Sequence, residues 1–276
     1  MKRSIGALFL GLALAASCGV DHRDRPPLTI THIANDGFLI ECAGKKILVD
    51  ALFGGWKSTW CYVPPDSVIE MMTRAKPPFD HVDLIAVTHA HVDHFDADIA
   101  AAHMEHNPEG IMVCPPQAAE KLETTAHYAD IKGRIRTVPA PGDSAVSMSL
   151  SGLDLLVLPT RHGPYGEKDE KTGKTVDRHR FVQHLEYVFT IGGWTLFHCG
   201  DSPLSALEMY HSCGLDSARI DIAFLQGKAQ EKVWPERIIL MHNPPGWQVS
   251  DTSYYLQPGV REIIVAGPPL ERWTFR

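Results

Sequence analysis

The stretch from Thr88 to His94, Thr-His-Ala-His-Val-Asp-His, constrains the fold more than any other part of this chain. Three histidines and one aspartate fall within six residues, directly after an apolar run that starts at Val82. An apolar run of this length predicts a buried strand, and α/β proteins bind ligands where such strands end. Imidazole and carboxylate groups at this density are the donors that a divalent metal site needs.

The spacing within this motif favours two ions rather than one. Side chains two residues apart point the same way in an extended backbone, so His89 and His91 can face one ion. Asp93 and His94 follow in the turn and can face a second. The alternative interpretation is a solvated loop that is rich in histidine.

Three later strand-like runs also end on a residue that can bind a metal. His162 follows the run that begins at Leu155, and His242 follows the run that begins at Ile238. Asp201 follows a third run, after Gly200, which permits a close approach of the backbone. Each of these signals is weak alone, but together with the His-x-His-x-Asp-His motif they indicate one site.

The rest of the pattern predicts an α/β domain of layered architecture, because strands and helices alternate in both halves. The predicted strands cover residues 28–33, 37–42, 46–50, 82–88, 111–114, 134–138, 153–158, 186–191, 194–198, 220–225, 238–241 and 263–266. The predicted helices cover residues 67–75, 96–106, 117–126 and 205–211. The charged, glycine-containing segment 163–180 is expected to be a surface loop.

These motifs, in this order, resemble the metallo-β-lactamase superfamily. Asp50, at the end of Lys-Ile-Leu-Val-Asp, is similar to the first motif of that superfamily. The opening Thr-His-Ile-Ala-Asn-Asp-Gly-Phe-Leu-Ile resembles the branch that includes ascorbate-6-phosphate lactonase-like proteins. The resemblance implies a single αββα four-layer sandwich over residues 28–276, with metals in a cleft at one edge of the sheets.

The resemblance also implies a role for each candidate residue. His89, His91 and His162 would bind the first metal, and Asp93, His94 and His242 the second. Asp201 would bridge the two ions, and Asp50 would orient a ligand imidazole. Asp93 and Asp50 are the candidate catalytic residues. The donors suit two divalent ions, with Zn²⁺ first and Mn²⁺ or Fe²⁺ as alternatives.

Such a centre predicts metal-assisted hydrolysis of a small molecule by a metal-bridging hydroxide, because bound metal lowers the pKa of water towards about 7. A lactone, an ester, an amide or a phosphodiester would suit. Two other classes stay open. One is a mono-iron oxidoreductase that oxidises thiols or sulfur, and the other is a non-catalytic metal-binding surface lipoprotein.

The N-terminal sequence predicts export. Residues 1–17 combine a basic start, an apolar run and small residues, as a signal peptide does. Leu14 to Cys18 resembles a bacterial lipobox, so a lipidated Cys18 would give membrane attachment; plain cleavage is the alternative. Residues 18–27 would be a tether, and the protein would be periplasmic or a membrane-anchored lipoprotein. A net charge of −7 disfavours nucleic acid as a partner.

Several other side chains are of types that can have a function, but their sequence context does not require one. Cys199 is expected to be a buried core thiol rather than a ligand. His103 and His106 are expected on a solvated helix face, and no partner is evident for His179, His184, His198 and His211. The loop residues Trp56, Trp60 and Tyr62 are of a type that lines an apolar substrate pocket or packs over the sandwich. Tyr165, close to His162, is a candidate for a hydrogen bond to a substrate.

Overall fold

The computed structural model describes residues 24–226, 232–247, 255 and 258–276. The predicted signal peptide (1–17) and Cys18 lie outside these residues, as does the first part of the predicted tether. The end of the tether packs on the domain, where Arg25 Nη1 lies 2.9 Å from Asp221 Oδ1. The indole nitrogen of Trp194 donates to the carbonyl of Pro26.

The first sheet has seven strands, in the spatial order β16-β1-β2-β3-β4-β5-β6. Its strands are β1 (Leu28–Ala34), β2 (Gly37–Cys42), β3 (Lys45–Val49), β4 (Leu84–Ala86), β5 (Ile111–Cys114), β6 (Ile135–Thr137) and β16 (Arg272–Phe275). Strands β1 to β3 form antiparallel hairpins, and β3 to β6 run parallel. The parallel part results from the helical connections between those strands.

The second sheet also has seven strands, in the order β15-β14-β13-β12-β11-β8-β7. Its strands are β7 (Val146–Leu150), β8 (Leu153–Arg161), β11 (Gln183–Ile191), β12 (Trp194–His198), β13 (Arg219–Leu225), β14 (Trp234–Leu240) and β15 (Glu262–Val265). Between β8 and β11, the segment expected to be a loop contains a small exposed hairpin of β9 (Gly166–Lys168) and β10 (Thr175–Asp177).

Four of the five helices in the described residues follow strands of the first sheet. The helices are α1 (Asp66–Thr73), α2 (Ala97–His106), α3 (Pro116–Leu122), α4 (Tyr128–Ile131) and α5 (Leu207–Ser212). The Asp96 carboxylate caps α2 as predicted, because it accepts a hydrogen bond from the amide of Ile99 at 2.9 Å. None of the helices in the described ranges is both long enough and apolar enough for a membrane crossing.

The alternation of side chains along the strands defines four layers. On β3, Leu48 packs into the cluster that holds α1 to α4, whereas Ile47 and Val49 pack between the sheets. On β11, Tyr187 reaches the first sheet, while its neighbour Glu186 accepts a hydrogen bond from Tyr210 of α5 on the outer side. The order of layers is therefore helix, sheet, sheet and helix, which confirms the predicted αββα sandwich.

The expectation of a solvated face on α2 is wrong for His103. Its imidazole is fully buried, and Nδ1 lies 2.7 Å from the carbonyl oxygen of Met72 at the end of α1. Helix α2 packs on α1 along this face, so His103 fills the helix–helix contact. The other histidine of that pair, His106, is exposed as expected.

The topology brings the predicted ligands to one edge of the sandwich. In the first sheet, β3 and β4 are parallel, so Asp50 and the 88–94 turn follow their carboxyl ends at the same edge. In the second sheet, β8, β12 and β14 run in one direction, because β11 is antiparallel to both β8 and β12. Their carboxyl ends lead to His162, Asp201 and His242.

Tyr187→Phe is expected to destabilise the contact between the two sheets. The Tyr187 hydroxyl is buried and lies 2.8 Å from the carbonyl oxygen of Val87 and 3.0 Å from that of Val113. Loss of this donor should lower the free energy of unfolding by about 1 to 2 kcal/mol, measured by urea denaturation. Tyr128→Phe is the control, since the Tyr128 hydroxyl bonds at the surface. Equal stability of the two variants would contradict the prediction.

Candidate metal centre

The structure brings all seven predicted ligand side chains into one cluster. The donor atoms of one group lie within 4.8 Å of one another, and this group comprises His89, His91, His162 and Asp201. A second group, with donors equally close, comprises Asp93, His94 and His242. Asp201 connects the groups, because its Oδ2 lies 3.2 Å from His162 Nε2 and its Oδ1 lies 3.3 Å from His94 Nε2.

His242, the last ligand candidate in the chain, completes the second group of donors. His242 Nε2 lies 3.6 Å from Asp93 Oδ2 and 3.7 Å from Asp201 Oδ2. His94 Nε2 lies 3.4 Å from the same oxygen of Asp93. The arrangement consists of two adjoining sets of donors that share Asp201, which is the arrangement that the resemblance implied. The individual ligand roles stay predictions.

Asp50 fixes the protonation pattern of two imidazoles, those of His94 and His89. Its carboxylate accepts hydrogen bonds from the Thr88 amide, from the Thr88 hydroxyl and from His94 Nδ1, the last at 2.9 Å. Because the Thr88 hydroxyl uses its proton on Asp50, its oxygen accepts from His89 Nδ1 at 3.0 Å. Both imidazoles therefore carry their proton on Nδ1 and turn the Nε2 lone pair towards the cluster.

The donor set fits a divalent cation. His94 Nε2 and His162 Nε2 are buried and have no hydrogen-bond partner among the described residues. His162 Nδ1 lies 2.7 Å from the carbonyl oxygen of Gly163 and donates to it, so its Nε2 also offers a lone pair. Buried polar atoms without partners are rare and require an explanation. Several lone pairs aimed at the same carboxylates are explained by a bound cation.

The carboxylates of the cluster favour positive charge on His94 and His242, whereas burial lowers the pKa values of His89 and His91. Burial would lower the pKa of His94, but Asp201, Asp50 and Asp93 raise it well above its ordinary value. In the same way the pKa of His242 rises to about 9 despite burial, with Asp36 as the leading favourable charge. The carboxylates thus stabilise a proton on these imidazoles, and a metal ion at Nε2 would take the place of that proton.

Sequence reasoning missed a positioning histidine at this edge. His184, at the start of β11, is fully buried, and its Nε2 accepts a hydrogen bond from the Asp201 amide at 3.1 Å. Its Nδ1 lies 3.0 Å from the Thr160 hydroxyl. Gly200 permits this contact, because a Cβ there would lie 2.6 Å from His184 Nε2, and its φ is +49°. His184 therefore holds the backbone that carries Asp201.

Two further histidines lie near the cluster, and His179 contacts it directly. The His179 ring lies 4.2 Å from the His162 ring and stacks on Tyr165, which is 55% exposed. The buried His198 donates from Nε2 to the carbonyl oxygen of Asp36. His211, in contrast, is exposed and pairs with Asp216 away from the site. Cys199 is buried, and its thiol donates to the carbonyl of Gly200, as expected for a core cysteine.

Aromatic side chains line the open side of the cluster. The Trp60 ring lies 6.2 Å from the His242 ring, and 49% of Trp60 is exposed. Trp56 packs on Trp60 with 5.7 Å between the rings and also lines an adjoining cleft of about 350 Å³. The Tyr62 hydroxyl accepts a hydrogen bond from the Gly246 amide, which ties this loop to the segment after His242.

Comparison with known proteins identifies the family. The profile described as "Beta-lactamase superfamily domain" matches residues 45–252, which is more than half of the chain. The protein belongs to this superfamily. A solved metallo hydrolase of the archaeon Ignicoccus hospitalis has the same fold: the TM-score is 0.55 at 16% sequence identity, over 91% of this chain and 99% of the other.

Two curated superfamily members are similar in sequence. The probable L-ascorbate-6-phosphate lactonase UlaG of Salmonella choleraesuis is 27% identical over 150 residues, which cover 51% of this chain and 38% of that protein. A UPF0173 metal-dependent hydrolase of Aeropyrum pernix is 28% identical over 141 residues, which cover 50% of this chain and 52% of that protein. The matches thus span about half or less of these relatives.

Asp50→Asn is expected to weaken metal binding. The amide nitrogen would compete for the position that now accepts from His94 Nδ1, so the proton pattern of the imidazoles would change. Loss of such an orienting group typically lowers metal affinity by 10- to 100-fold. Chelator competition with Zn²⁺ measures the affinity. Asp80→Asn, which affects an ion pair with Lys46 at the surface, is the control. An unchanged Zn²⁺ affinity in Asp50→Asn would refute the orienting role.

Proposed function

We propose that the protein is a metal-dependent hydrolase that acts on a lactone, ester, amide or phosphodiester bond of a small molecule. The observation that carries the proposal is the convergence of imidazole Nε2 lone pairs and carboxylates at one sheet edge, with 3.2 Å between His162 and Asp201. Membership of the superfamily supports it. The names of two relatives, one a probable lactonase and one a metal-dependent hydrolase, also support it.

We propose that the donors of the cluster hold two ions. His89, His91 and His162 would hold one, and the group completed by His242 would hold the other, with Asp201 between them. Neutral imidazole and carboxylate donors suit Zn²⁺, with Mn²⁺ and Fe²⁺ as alternatives. When bound, such ions supply Lewis acidity, and they lower the pKa of water towards about 7.

The residues of the chain itself keep this centre rigid and charged. Asp50 holds the His94 ring directly and the His89 ring through Thr88, so neither can rotate without breaking a buried hydrogen bond. Burial opposes ionisation of Asp93, but hydrogen bonds with His242 and His94 keep its pKa well below the usual range. Asn35 donates to the same carboxylate at 3.0 Å and fixes its orientation. We assign Asp93 and Asp50 as catalytic residues on this basis.

The aromatic side chains beside the cluster, Trp56 and Trp60, favour a substrate that has an apolar or planar group next to the bond that is cleaved. Trp60 exposes about half of its surface beside His242, whose side chain is 27% exposed. An exposed indole next to a polar centre provides area for stacking at little entropic expense. We propose that Trp60 binds this part of the substrate.

We further propose that the protein acts outside the cytoplasm, in the periplasm or attached to a membrane by a lipid on Cys18. The support is the signal-peptide pattern of residues 1–17 and the lipobox resemblance. Mass spectrometry of the protein from membranes of an expressing bacterium, with Cys18→Ser as the control, distinguishes a lipidated Cys18 from plain cleavage.

Metal content and hydrolysis should fail together in a double variant, His89→Ala with His91→Ala. The purified wild type is expected to contain Zn²⁺ and to hydrolyse at least one class in a panel of lactones, esters, phosphodiesters and β-lactams. The double variant should lose more than about 1000-fold in rate, since several kcal/mol of charge stabilisation disappears. A chelator should abolish the wild-type activity, and added Zn²⁺ should restore it.

Other outcomes of this experiment separate the alternatives. Iron in the protein, together with consumption of O₂ in the presence of a thiol, would replace the hydrolase with an oxidoreductase. Full metal content and full activity in the double variant would refute the proposed centre. Bound metal without turnover of any bond class in the panel would refute the hydrolase and favour a binding protein.

Trp60→Ala is expected to raise KM about tenfold for substrates with an apolar group and to leave kcat nearly unchanged, because it removes apolar contact area. Trp234→Ala is the matched control. Trp234 is 44% exposed but starts β14, about 20 Å from the site at roughly 3.3 Å per residue. A similar KM effect in both variants would contradict the assignment.

A further inference from the structure

Asp36 is a buried carboxylate at the metal centre to which neither the motifs nor the family match assigns a role. It lies in the two-residue turn that joins β1 to β2, and the family match begins only at residue 45. Asp36 is fully buried. Its carbonyl oxygen accepts a hydrogen bond from His198 Nε2 at 3.0 Å, so the turn has a fixed position.

The Asp36 side chain points at the cluster. One donor atom each from Asp36, His94 and Asp201 lie within 4.8 Å of one another. Gln226 Nε2 donates to Asp36 Oδ2 at 3.1 Å and also to Asp201 Oδ1. The other oxygen, Asp36 Oδ1, is buried and has no hydrogen-bond partner within the described parts of the chain. Asp36 Oδ1 and His94 Nε2, which belong to residues of the same donor group, are therefore both buried without a partner among the described residues.

Among the described residues the Asp36 carboxylate forms no ion pair, and the favourable charges that act on it are the imidazoles of His242 and His94. The ion-pair partners of Asp201 and Asp93 among those residues are histidines. A buried carboxylate beside other carboxylates is strongly unfavourable unless a cation or several donors compensate for the lost water. Among the described residues the Asp36 carboxylate accepts one hydrogen bond, from an amide, and a bound cation would complete the compensation.

We propose that Asp36 is a further ligand of the second cation, on the side where His94 and Asp201 face it. The proposal rests on the two-metal centre described under the proposed function. It makes Asp36 the fourth carboxylate of that centre, with Asp50, Asp93 and Asp201.

The competing explanation is that Asp36 only shapes the turn. In that case Asp36→Asn should be neutral, because an amide oxygen can still accept from Gln226 and the backbone contact with His198 is unaffected. A ligand role predicts a different result, because the variant loses a negative charge and a strong oxygen donor.

The test compares metal binding in the wild type and in Asp36→Asn, independently of turnover. We expect the wild type to bind two equivalents of Zn²⁺ after dialysis. In the variant the first equivalent should bind as in the wild type, while the Kd of the second rises at least tenfold. The visible spectrum of the Co²⁺-loaded protein should change only for the second equivalent. Binding of two equivalents with wild-type affinity would overturn the proposal.

Asp221→Asn is the matched control, because Asp221 is another buried aspartate that carries an ion pair, with Arg25, outside the metal centre. It should lower stability and leave both Zn²⁺ equivalents in place. If Asp36→Asn does not fold, anomalous diffraction from Zn²⁺-loaded wild type decides. A ligand oxygen lies about 2.0–2.2 Å from Zn²⁺, and a nearest Asp36–Zn²⁺ distance above about 3.5 Å would overturn the assignment.

The same measurements separate this inference from the proposed function. Two bound Zn²⁺ ions, with the second lost in Asp36→Asn, support Asp36 as a ligand even if the wild type hydrolyses none of the substrates tested. Hydrolysis by a protein in which Asp36→Asn changes neither metal affinity nor spectrum would retain the hydrolase and remove Asp36 from the centre.

Discussion

The burial of negative charge at one edge of two sheets is the constraint on which the rest of the site depends. A carboxylate removed from water is tolerated only beside hydrogen-bond donors or positive charge. Asp50 meets this condition with three donors from Thr88 and His94. Asp93 and Asp201 meet it with imidazoles, which explains why so many histidines gather there. Many of the buried polar side chains of the described residues therefore lie at this one site.

Much of this site was predictable from the sequence, because the ligand candidates lie directly after predicted strands. An apolar run followed by a histidine or aspartate is visible in a sequence. Strands β3 and β4 share one direction in the first sheet, and β8, β12 and β14 share one in the second, and the residues that follow these five strands cluster. The αββα architecture followed from the resemblance, and the structure and the family match confirm it. The bounds of α2 were close, because Asp96 provides a recognisable cap, whereas α3 ends at Leu122 rather than at residue 126 and α4 was not predicted.

The residues of the site that sequence analysis missed lie at the beginning of strands. In an antiparallel pair, one strand starts at the edge where its neighbour ends, so the first residues of β11 and the turn before β2 reach the same edge as the ligands. His184 and Asp36 occupy those positions. No local pattern marks them, since their relevance arises only from strand pairing. His103 was misjudged for a similar reason, because the face that α2 buries is set by its contact with α1 rather than by its own composition.

The division of the donors between the two sheets has a thermodynamic consequence. His89 and Asp93 follow a strand of the first sheet, whereas His162 and His242 follow strands of the second. An ion held by both sets acts as a clasp across the sandwich, and an unfolded chain cannot offer the same grip. The melting temperature should then rise with the free concentration of the ion, by an amount that grows with its logarithm. Scarcity of that ion in the surroundings would loosen the whole domain and expose it to proteases.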